Sequence, residues 1–338
     1  MSILHIIGAP ETGEAERYAA DLILHFKLNG VDQEVIIAEE SPQFFRLKSA
    51  GIQIKPLTRF RKLLLRFGSR KKLDILHAWT PNALSFVVHL ANKTKPTVIT
   101  SADGYYDPRP AKRGVHFVAA TPSIAEHLTR NKIAADHIKV IPHFVSDTPK
   151  PPLSRTSYAT PKDSKILLSL SKLHPYRGHD TLLKALVDLP NCVLWFAGDG
   201  PQRTELDMLA RNLNISERVR FVGDTTDRTA LTRTADVIVL TTRQEAFNNI
   251  IPETWAAGSP LIVCRKEAAE NPIEDGVNGL LVPIDNTPAL RDAVQRVLND
   301  EPLRRRLIAH GYAAYVKDYT KESVIRQWIQ LYRTLSST

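Results

Sequence analysis

The stretch Ile166-Leu167-Leu168-Ser169-Leu170-Ser171-Lys172-Leu173-His174-Pro175-Tyr176-Arg177-Gly178-His179-Asp180 decides the fold. Its first five residues are apolar or small, the pattern of a short strand buried on both faces. A loop with Pro175 and Gly178 follows, and helical periodicity begins at Asp180 and runs to Leu186. The alternation then repeats. Val193–Ala197 reads as a strand before a helix over Gln202–Leu213, and Val219–Val222, Val237–Leu240 and Leu261–Val263 read as strands with helices between them. Short, continuously apolar strands separated by helices predict a parallel sheet covered on both faces.

The same reading extends upstream. Ile3–Ile7, Val35–Ala38, Leu73–His77, Thr97–Thr100, Phe117–Ala119 and Lys139–Ile141 are strand candidates, with a helix over Ala15–Leu28. Between the halves, residues 146–165 hold Pro149, Pro151, Pro152 and Pro161 among Ser, Thr and Lys. Prolines at that density interrupt helix and sheet alike, so the natural reading is a linker. The expected organisation is an N-terminal domain over 1–148, a linker over 149–164 and a C-terminal domain over 165–320. A last helix over 321–338 would be able to cross back to the first domain. Within Glu322–Leu335, Val324, Trp328 and Tyr332 lie four apart, and such a stripe must pack on something.

At 338 residues, two domains are the prior at about 150 residues each. The chain is 43% hydrophobic and 24% charged, which argues against disorder, collagen and coiled coil. No apolar run approaches the ~20 residues of a membrane-spanning helix. The first residues lack the basic segment and the apolar length of a secretory leader. Two cysteines, Cys192 and Cys264, are too few for a disulfide framework or a cysteine zinc site. These features predict a cytoplasmic protein. The net charge is +9, and residues 1–150 carry 21 Lys and Arg against 14 Asp and Glu. A basic first half points to an anionic partner: nucleic acid, membrane or a phosphorylated substrate.

The strongest chemical feature is Gln244-Glu245-Ala246-Phe247-Asn248-Asn249-Ile250-Ile251-Pro252-Glu253. It follows the strand Val237–Leu240 and runs into a helix at Pro252. Two carboxylates thus lie eight positions apart across a strand-to-helix turn. Such a turn offers backbone N–H groups to phosphate, and ionised carboxylates accept hydrogen bonds from sugar hydroxyls. Two ordinary first-turn acids stabilised by the helix dipole would give the same spacing.

Together with Trp255-Ala256-Ala257-Gly258-Ser259-Pro260-Leu261-Ile262-Val263, this stretch resembles the signature of retaining glycosyltransferases of family 4. Leu170–Asp180 resembles the family's segment with two cations before a glycine, and Phe196-Ala197-Gly198-Asp199-Gly200-Pro201 its Gly-Asp-Gly-Pro turn. Val219–Gly223, Ala235–Val237 and Asp275–Pro283 match in order and spacing. The resemblance implies an α/β architecture of the GT-B type: two facing Rossmann-like domains with parallel sheets and a cleft between them. By position it implies that Lys172 and Arg177 hold a donor diphosphate and that Glu245 binds the donor sugar. Phe247 and the backbone of Asn248, Asn249 and Ile250 would face sugar and phosphate. Glu253 would bind the ribose, and Gly223 would line the base. Lys172 and Arg177 stand in the reverse order of the family's usual pair, which changes the geometry because Arg forks and Lys does not.

In the first half the resemblance is looser. Gly8 and Gly13-Glu14-Ala15-Glu16 resemble the family's glycine-rich loop, which makes Gly13 a donor-side candidate. Asp103, in Ser101-Ala102-Asp103-Gly104, stands where many members carry a histidine, and His143 stands where Asn is common. Asp103 is therefore a catalytic candidate that could stabilise positive charge at the anomeric carbon.

A basic segment completes the candidates. Phe60, Leu63, Leu64 and Phe67 form an apolar stripe at helical spacing, with Arg59, Arg61, Lys62 and Arg66 around it. The stripe either lies on anionic lipid or packs on its own sheet with the cations solvated.

The expectation is a metal-independent, retaining hexosyltransferase that needs no cofactor. No Asp-x-Asp and no zinc-type histidine spacing occurs. The partners expected are a nucleotide-sugar donor, UDP-sugar favoured, and a glycolipid or lipopolysaccharide-core acceptor. An anionic membrane surface would place the protein peripherally on the cytoplasmic face of the inner membrane. Nucleic acid is not expected, since neither a helix-turn-helix nor an aromatic-basic single-strand motif is visible. A sugar-nucleotide epimerase or hydrolase of the same fold, and a non-catalytic binder of an anionic ligand, remain as alternatives.

Overall fold

A computed structural model describes residues 1–8, 13–57, 73–94, 96–105, 107–108, 114–145, 150–224, 227–243, 249–265 and 272–337. The strands are β1 (Ser2–Ile6), β2 (Asp32–Ile37), β3 (Gln53–Pro56), β4 (Ile75–Ala78), β5 (Thr97–Ala102), β6 (Val115–Ala119) and β7 (Ile138–Val140). They continue as β8 (Lys165–Leu170), β9 (Cys192–Ala197), β10 (Val219–Phe221), β11 (Val237–Leu240), β12 (Leu261–Arg265) and β13 (Leu280–Pro283). The helices begin with α1 (Gly13–Leu28), α2 (Pro42–Ser49), α3 (Pro81–Thr94), α4 (Pro122–Arg130), α5 (His179–Val187) and α6 (Arg203–Asn212). They end with α7 (Arg228–Thr234), α8 (Ile250–Ala257), α9 (Thr287–Asn299), α10 (Glu301–Asp318) and α11 (Lys321–Ser336).

The chain divides into two compact units. Unit 1 comprises Met1–His143 together with Lys321–Thr338, and unit 2 comprises Phe144–Thr320. Each is a doubly wound α/β unit, and the expected class is the one observed. The sheet of unit 1 runs β3-β2-β1-β4-β5-β6-β7 and that of unit 2 runs β10-β9-β8-β11-β12-β13. Every pairing is parallel. The strand order reverses between β1 and β4 in one sheet and between β8 and β11 in the other. Loops leaving two such strands diverge above the sheet, and ligands bind in the gap that this opens.

The strands are where the apolar runs put them, within three residues at either end. β3 and β13 were not anticipated. Both are edge strands, both end in a proline (Pro56, Pro283), and β3 is only partly buried. An edge strand needs no second apolar face and tolerates proline, so it lacks the signal of a central strand.

Alternation along β8 shows how unit 2 is filled. Leu167 enters one core layer, while Ile166, Leu168 and Leu170 enter the layer on the opposite face. Residues 150–164 belong to unit 2 and are fastened to it by side-chain hydrogen bonds. The Leu153 N–H donates to Thr234 Oγ1 at 2.8 Å, Arg155 pairs with Asp236 at 2.8 Å, and Trp195 Nε1 donates to Thr160 Oγ1 at 2.9 Å.

The stripe of α11 packs inside unit 1. Val324, Trp328 and Tyr332 are buried, with Trp328 5.3 Å from the ring of Trp79 and Tyr332 5.4 Å from Phe26. The Tyr332 hydroxyl lies 2.7 Å from His77 Nδ1, and His77 Nε2 lies 3.0 Å from Ser101 Oγ. A second buried histidine continues this polar seam. His5 Nδ1 accepts from Trp79 Nε1 at 3.1 Å, so its Nε2 carries the proton and donates to Gln33 Oε1, also at 3.1 Å. Burial pushes the His5 pKa down from 6.5 to about 3 and that of His77 well below 6.5, so both are neutral.

Candidate active site

In unit 2 the site assembles where β8 and β11 part. Ser171 and Lys172 leave β8, and a single 3-10 turn, Pro175–Arg177, leads through Gly178 into α5. Two glycine-bearing contacts fix this loop. Gly178 has φ +65°, and a Cβ there would meet the Thr241 carbonyl oxygen at 2.2 Å. Gly198 has φ +149°, and its Cβ would meet the Ser171 carbonyl oxygen at 2.2 Å. Only glycine permits both the conformation and the approach. The loop after β8 is thus clamped between the turns after β9 and β11. The Leu173 N–H donates to Asp199 O at 3.0 Å, and the Arg243 N–H donates to Tyr176 O at 2.7 Å.

His179 holds the Lys172 turn from below. Its Nε2 lies 3.2 Å from Lys172 O and 3.2 Å from Ser171 Oγ. A carbonyl only accepts, so Nε2 bears the proton. Burial pushes the His179 pKa down from 6.5 to about 4, outweighing the hydrogen bond to Lys172.

Arg243 joins the two loops most firmly. Its Nη2 donates to both oxygens of Asp180, at 2.7 and 2.9 Å, its Nε to Asp285 at 2.8 Å, and its Nη1 to Pro175 O at 2.8 Å. The Arg243 hydrogen bond holds the Asp285 carboxyl below its ordinary range. Neither Arg243 nor Asp285 stood out in the sequence. Arg243 lies two places before Glu245, but nothing local marks what it grips.

Lys172 and Arg177 form no ion pair among the described residues. Lys172 is exposed. Arg177 is half-buried, its guanidinium 5.0 Å from the centre of the Tyr176 ring, and its Nε is buried without a hydrogen-bond partner. An unpaired half-buried cation is costly unless an anion completes it.

Glu253 sits in the first turn of α8. Asn249 and Ile250 precede it, and the Glu253 N–H donates to Asn249 O at 2.9 Å. Arg228, at the start of α7, donates to Glu253 Oε2 from Nε at 3.1 Å and from Nη2 at 2.9 Å. One oxygen is therefore engaged twice, and Oε1 has no hydrogen-bond partner among the described residues. The sequence showed the acid but not its arginine, 25 positions away. Trp255 anchors α8, donating to Asn278 O at 2.8 Å and lying where a Cβ at Gly311 would come within 2.4 Å of its ring. Gly223 has φ +81°, and no atom lies within 4 Å of where its Cβ would be, so the turn after β10 faces open space.

Glu245, Phe247 and Asn248 fall in 244–248, outside the described residues, as do Arg59, Arg61, Lys62 and Arg66 in 58–72. In unit 1, Gly13 is the first residue of α1. Asp103 follows β5 directly and lies 3.0 Å from His143 Nε2. Unit 1 and unit 2 therefore divide the candidates: Gly13 and Asp103 in one, Lys172, Arg177, Gly223, Asn249, Ile250 and Glu253 in the other. Among the described residues no group of three or more His, Cys, Asp or Glu is placed to hold a metal ion. No described helix is long and apolar enough to cross a membrane.

Comparison with known proteins agrees with this layout. Residues 152–314 match the family model described as Glycosyl transferases group 1, and residues 5–148 the model described as Glycosyltransferase Family 4. The lipopolysaccharide core biosynthesis glycosyltransferase LpsE of Rhizobium meliloti (strain 1021) is 30% identical over 331 residues, which is 94% of this chain and 95% of that protein. LpsD of the same organism is 26% identical over 343 residues, 98% of each. The crystal structure of Anabaena HepE in complex with UDP aligns over all of both chains with a TM-score of 0.81 at 18% identity, a likeness of fold.

Proposed function

The chain belongs to the group 1 glycosyltransferases, with a family 4 N-terminal half, and we propose that it moves a sugar from a UDP-sugar to a glycolipid or lipopolysaccharide-core acceptor. The observation that carries this reading is a pair of cations, Lys172 and Arg177, that form no ion pair among the described residues, on a loop at the β8/β11 divergence. The same end of the sheet holds Glu253, whose Oε1 has no hydrogen-bond partner among the described residues. Cations without a counterion call for an anion, and a diphosphate fits two of them. A carboxylate with one oxygen open suits the hydroxyls of a ribose. The choice of UDP is supported by the nucleotide held in HepE, and the acceptor class by what LpsE and LpsD are named for.

In this reading the transfer proceeds with retention and without a metal. The bond from the anomeric carbon to the diphosphate breaks, and its electron pair stays on phosphate oxygen. The acceptor hydroxyl oxygen bonds to the same face of that carbon, and its proton passes to the departing phosphate. Lys172 and Arg177 neutralise the charge that grows on the diphosphate, and electrostatic stabilisation of this kind is usually the largest contribution. Glu245 holds the sugar and Glu253 the ribose, so that orientation is fixed before reaction. The basic segment around Arg59, Arg61, Lys62 and Arg66 directs the protein to the anionic cytoplasmic face where such an acceptor resides.

The test is calorimetric titration with UDP, GDP and ADP in the absence of metal, repeated with Glu253→Ala and Lys172→Ala. Binding of UDP that is lost in both variants supports the reading. Binding of none of the three overturns it.

A further inference from the structure

Unit 1 carries a second polar constellation, built from residues far apart in sequence. β5, β6 and β7 are neighbours in that order. Asp103 follows β5 directly, and His143 follows β7 through Ile141 and Pro142. Two strand spacings, ~9.5 Å, separate these strand ends. β6 ends between them at Ala119, which with the following Ala120 is buried. His143 reaches across, and its Nε2 lies 3.0 Å from Asp103 Oδ1. On its other side the imidazole stacks on Tyr18 of α1, with centroids 3.9 Å apart and planes at 24°. The Tyr18 hydroxyl in turn donates to Pro142 O at 3.4 Å.

Ring plane and ring rotation are thus both fixed. A carboxylate only accepts, so Nε2 carries a proton, and in the neutral tautomer that this selects Nδ1 presents a lone pair. Among the described residues Nδ1 has no hydrogen-bond partner, and it is open to solvent. The side chains of His143 and Asp103 are 19% and 28% exposed, enough for a ligand to reach them. The fully buried His5 and His77 of this unit have partners at both nitrogens. His143 is satisfied at one.

We infer that His143 Nδ1 is a binding group for a sugar hydroxyl, with Asp103 and Tyr18 as the residues that position its ring. An oriented neutral imidazole lone pair accepts from a hydroxyl and repels phosphate, so the ligand group is an alcohol rather than the diphosphate. The inference rests on the glycosyltransferase reading above for the source of that hydroxyl. The donor sugar and the acceptor glycan both offer one, and the experiment separates them.

The protein labelled with nitrogen-15 histidine, with His143 assigned by its loss in His143→Ala, is titrated with three probes. These are UDP, UDP-glucose and deacylated lipopolysaccharide core oligosaccharide. The expected result is an unprotonated Nδ1 whose resonance moves with UDP-glucose or with the oligosaccharide, but not with UDP. Movement with the first assigns the hydroxyl to the donor, and movement with the second to the acceptor. In turnover, His143→Ala raises the KM of that same ligand roughly fivefold to tenfold, the worth of one hydrogen bond. His143→Asn places a carbonyl oxygen where Nδ1 stood and recovers most of the loss. UDP affinity stays unchanged in both variants. A protonated Nδ1, a resonance that ignores both sugar probes, or equal loss in Asn and Ala overturns the inference. Failure of UDP to bind the wild-type protein instead counts against the glycosyltransferase reading, and the ring titration reports independently of it.

Discussion

Arg243 grips both oxygens of Asp180, at 2.7 and 2.9 Å, across 63 positions of sequence. Because Asp180 opens α5 and Arg243 leaves β11, this one contact sets the distance between the loop bearing Lys172 and Arg177 and the loop that leads to Glu245. Charge-assisted, forked hydrogen bonds are the strong kind, and Arg243 adds Asp285 and Pro175 to the same hub.

Arg243→Lys keeps the charge and loses the fork. The expected outcome is a drop of about tenfold in UDP affinity with a loss of stability near 1 kcal/mol, since the remaining groups are partly solvated. Calorimetry and urea denaturation on the same sample read the two effects separately. Affinity equal to wild type would show that the hub does not position the cations.

At Gly178, alanine must adopt φ +65° and bring its Cβ to 2.2 Å from a carbonyl oxygen. The atoms it would meet all belong to Thr241 and none is a flexible side-chain end, so backbone must move. Gly178→Ala is expected to cost more than about 2 kcal/mol and to abolish UDP binding in whatever fraction folds.

Arg228 and Glu253 make an informative pair. Arg228→Gln leaves the carboxylate in place but frees the oxygen that the guanidinium engaged. Nucleotide affinity should fall by roughly threefold to tenfold, less than the loss in Glu253→Ala. The double variant should be no worse than Glu253→Ala alone. Additive losses would mean that Arg228 meets the ligand itself.

Stability should depend on pH in a defined direction. His5, His77 and His179 have pKa values lowered by burial, to about 3 for His5 and about 4 for His179. The unfolded chain therefore binds more protons than the native one below pH 6.5, and stability falls as pH falls. It is fully present above pH 6.5 and is lost progressively toward pH 3, at up to about 1.4 kcal/mol per pH unit for each group. Urea midpoints at pH 7.5, 6 and 5 measure this. His5→Gln should flatten the slope, and an unchanged slope would contradict a neutral His5 in the fold.

Tyr332→Phe removes the hydroxyl 2.7 Å from His77 Nδ1 and leaves a buried ring nitrogen without its partner. The expected loss is about 1–3 kcal/mol. Because Tyr332 fastens α11 to unit 1, hydrogen exchange in α11 should accelerate ahead of global unfolding.

The sequence singled out those parts of the candidate site that lie within one loop and its flanking elements. Lys172 and Arg177 share a strand-to-helix connection, and Glu253 follows β11 at a spacing that local periodicity makes visible. It also disclosed Asp103, but only as an acid at the end of a strand. What Asp103 touches was hidden, because His143 is 40 positions away and reaches it over an intervening strand. Arg243 and Arg228 were hidden for the same reason. An arginine's local sequence does not say which distant carboxylate it meets.

The sequence by itself determined the class of the fold. Two series of short apolar strands separated by helices leave a chain few arrangements except parallel sheets covered on both faces, since only these bury such strands completely. It also determined which loops would carry the cations and the acids. Tertiary structure alone decided the pairings: Arg243 with Asp180 and Asp285, Arg228 with Glu253, His143 with Asp103 and Tyr18. It decided too that α11 packs on unit 1, through Tyr332 on His77. Periodicity is a local property and is written along the chain. Side-chain partnerships depend on strand order, which exists only once the sheet has formed.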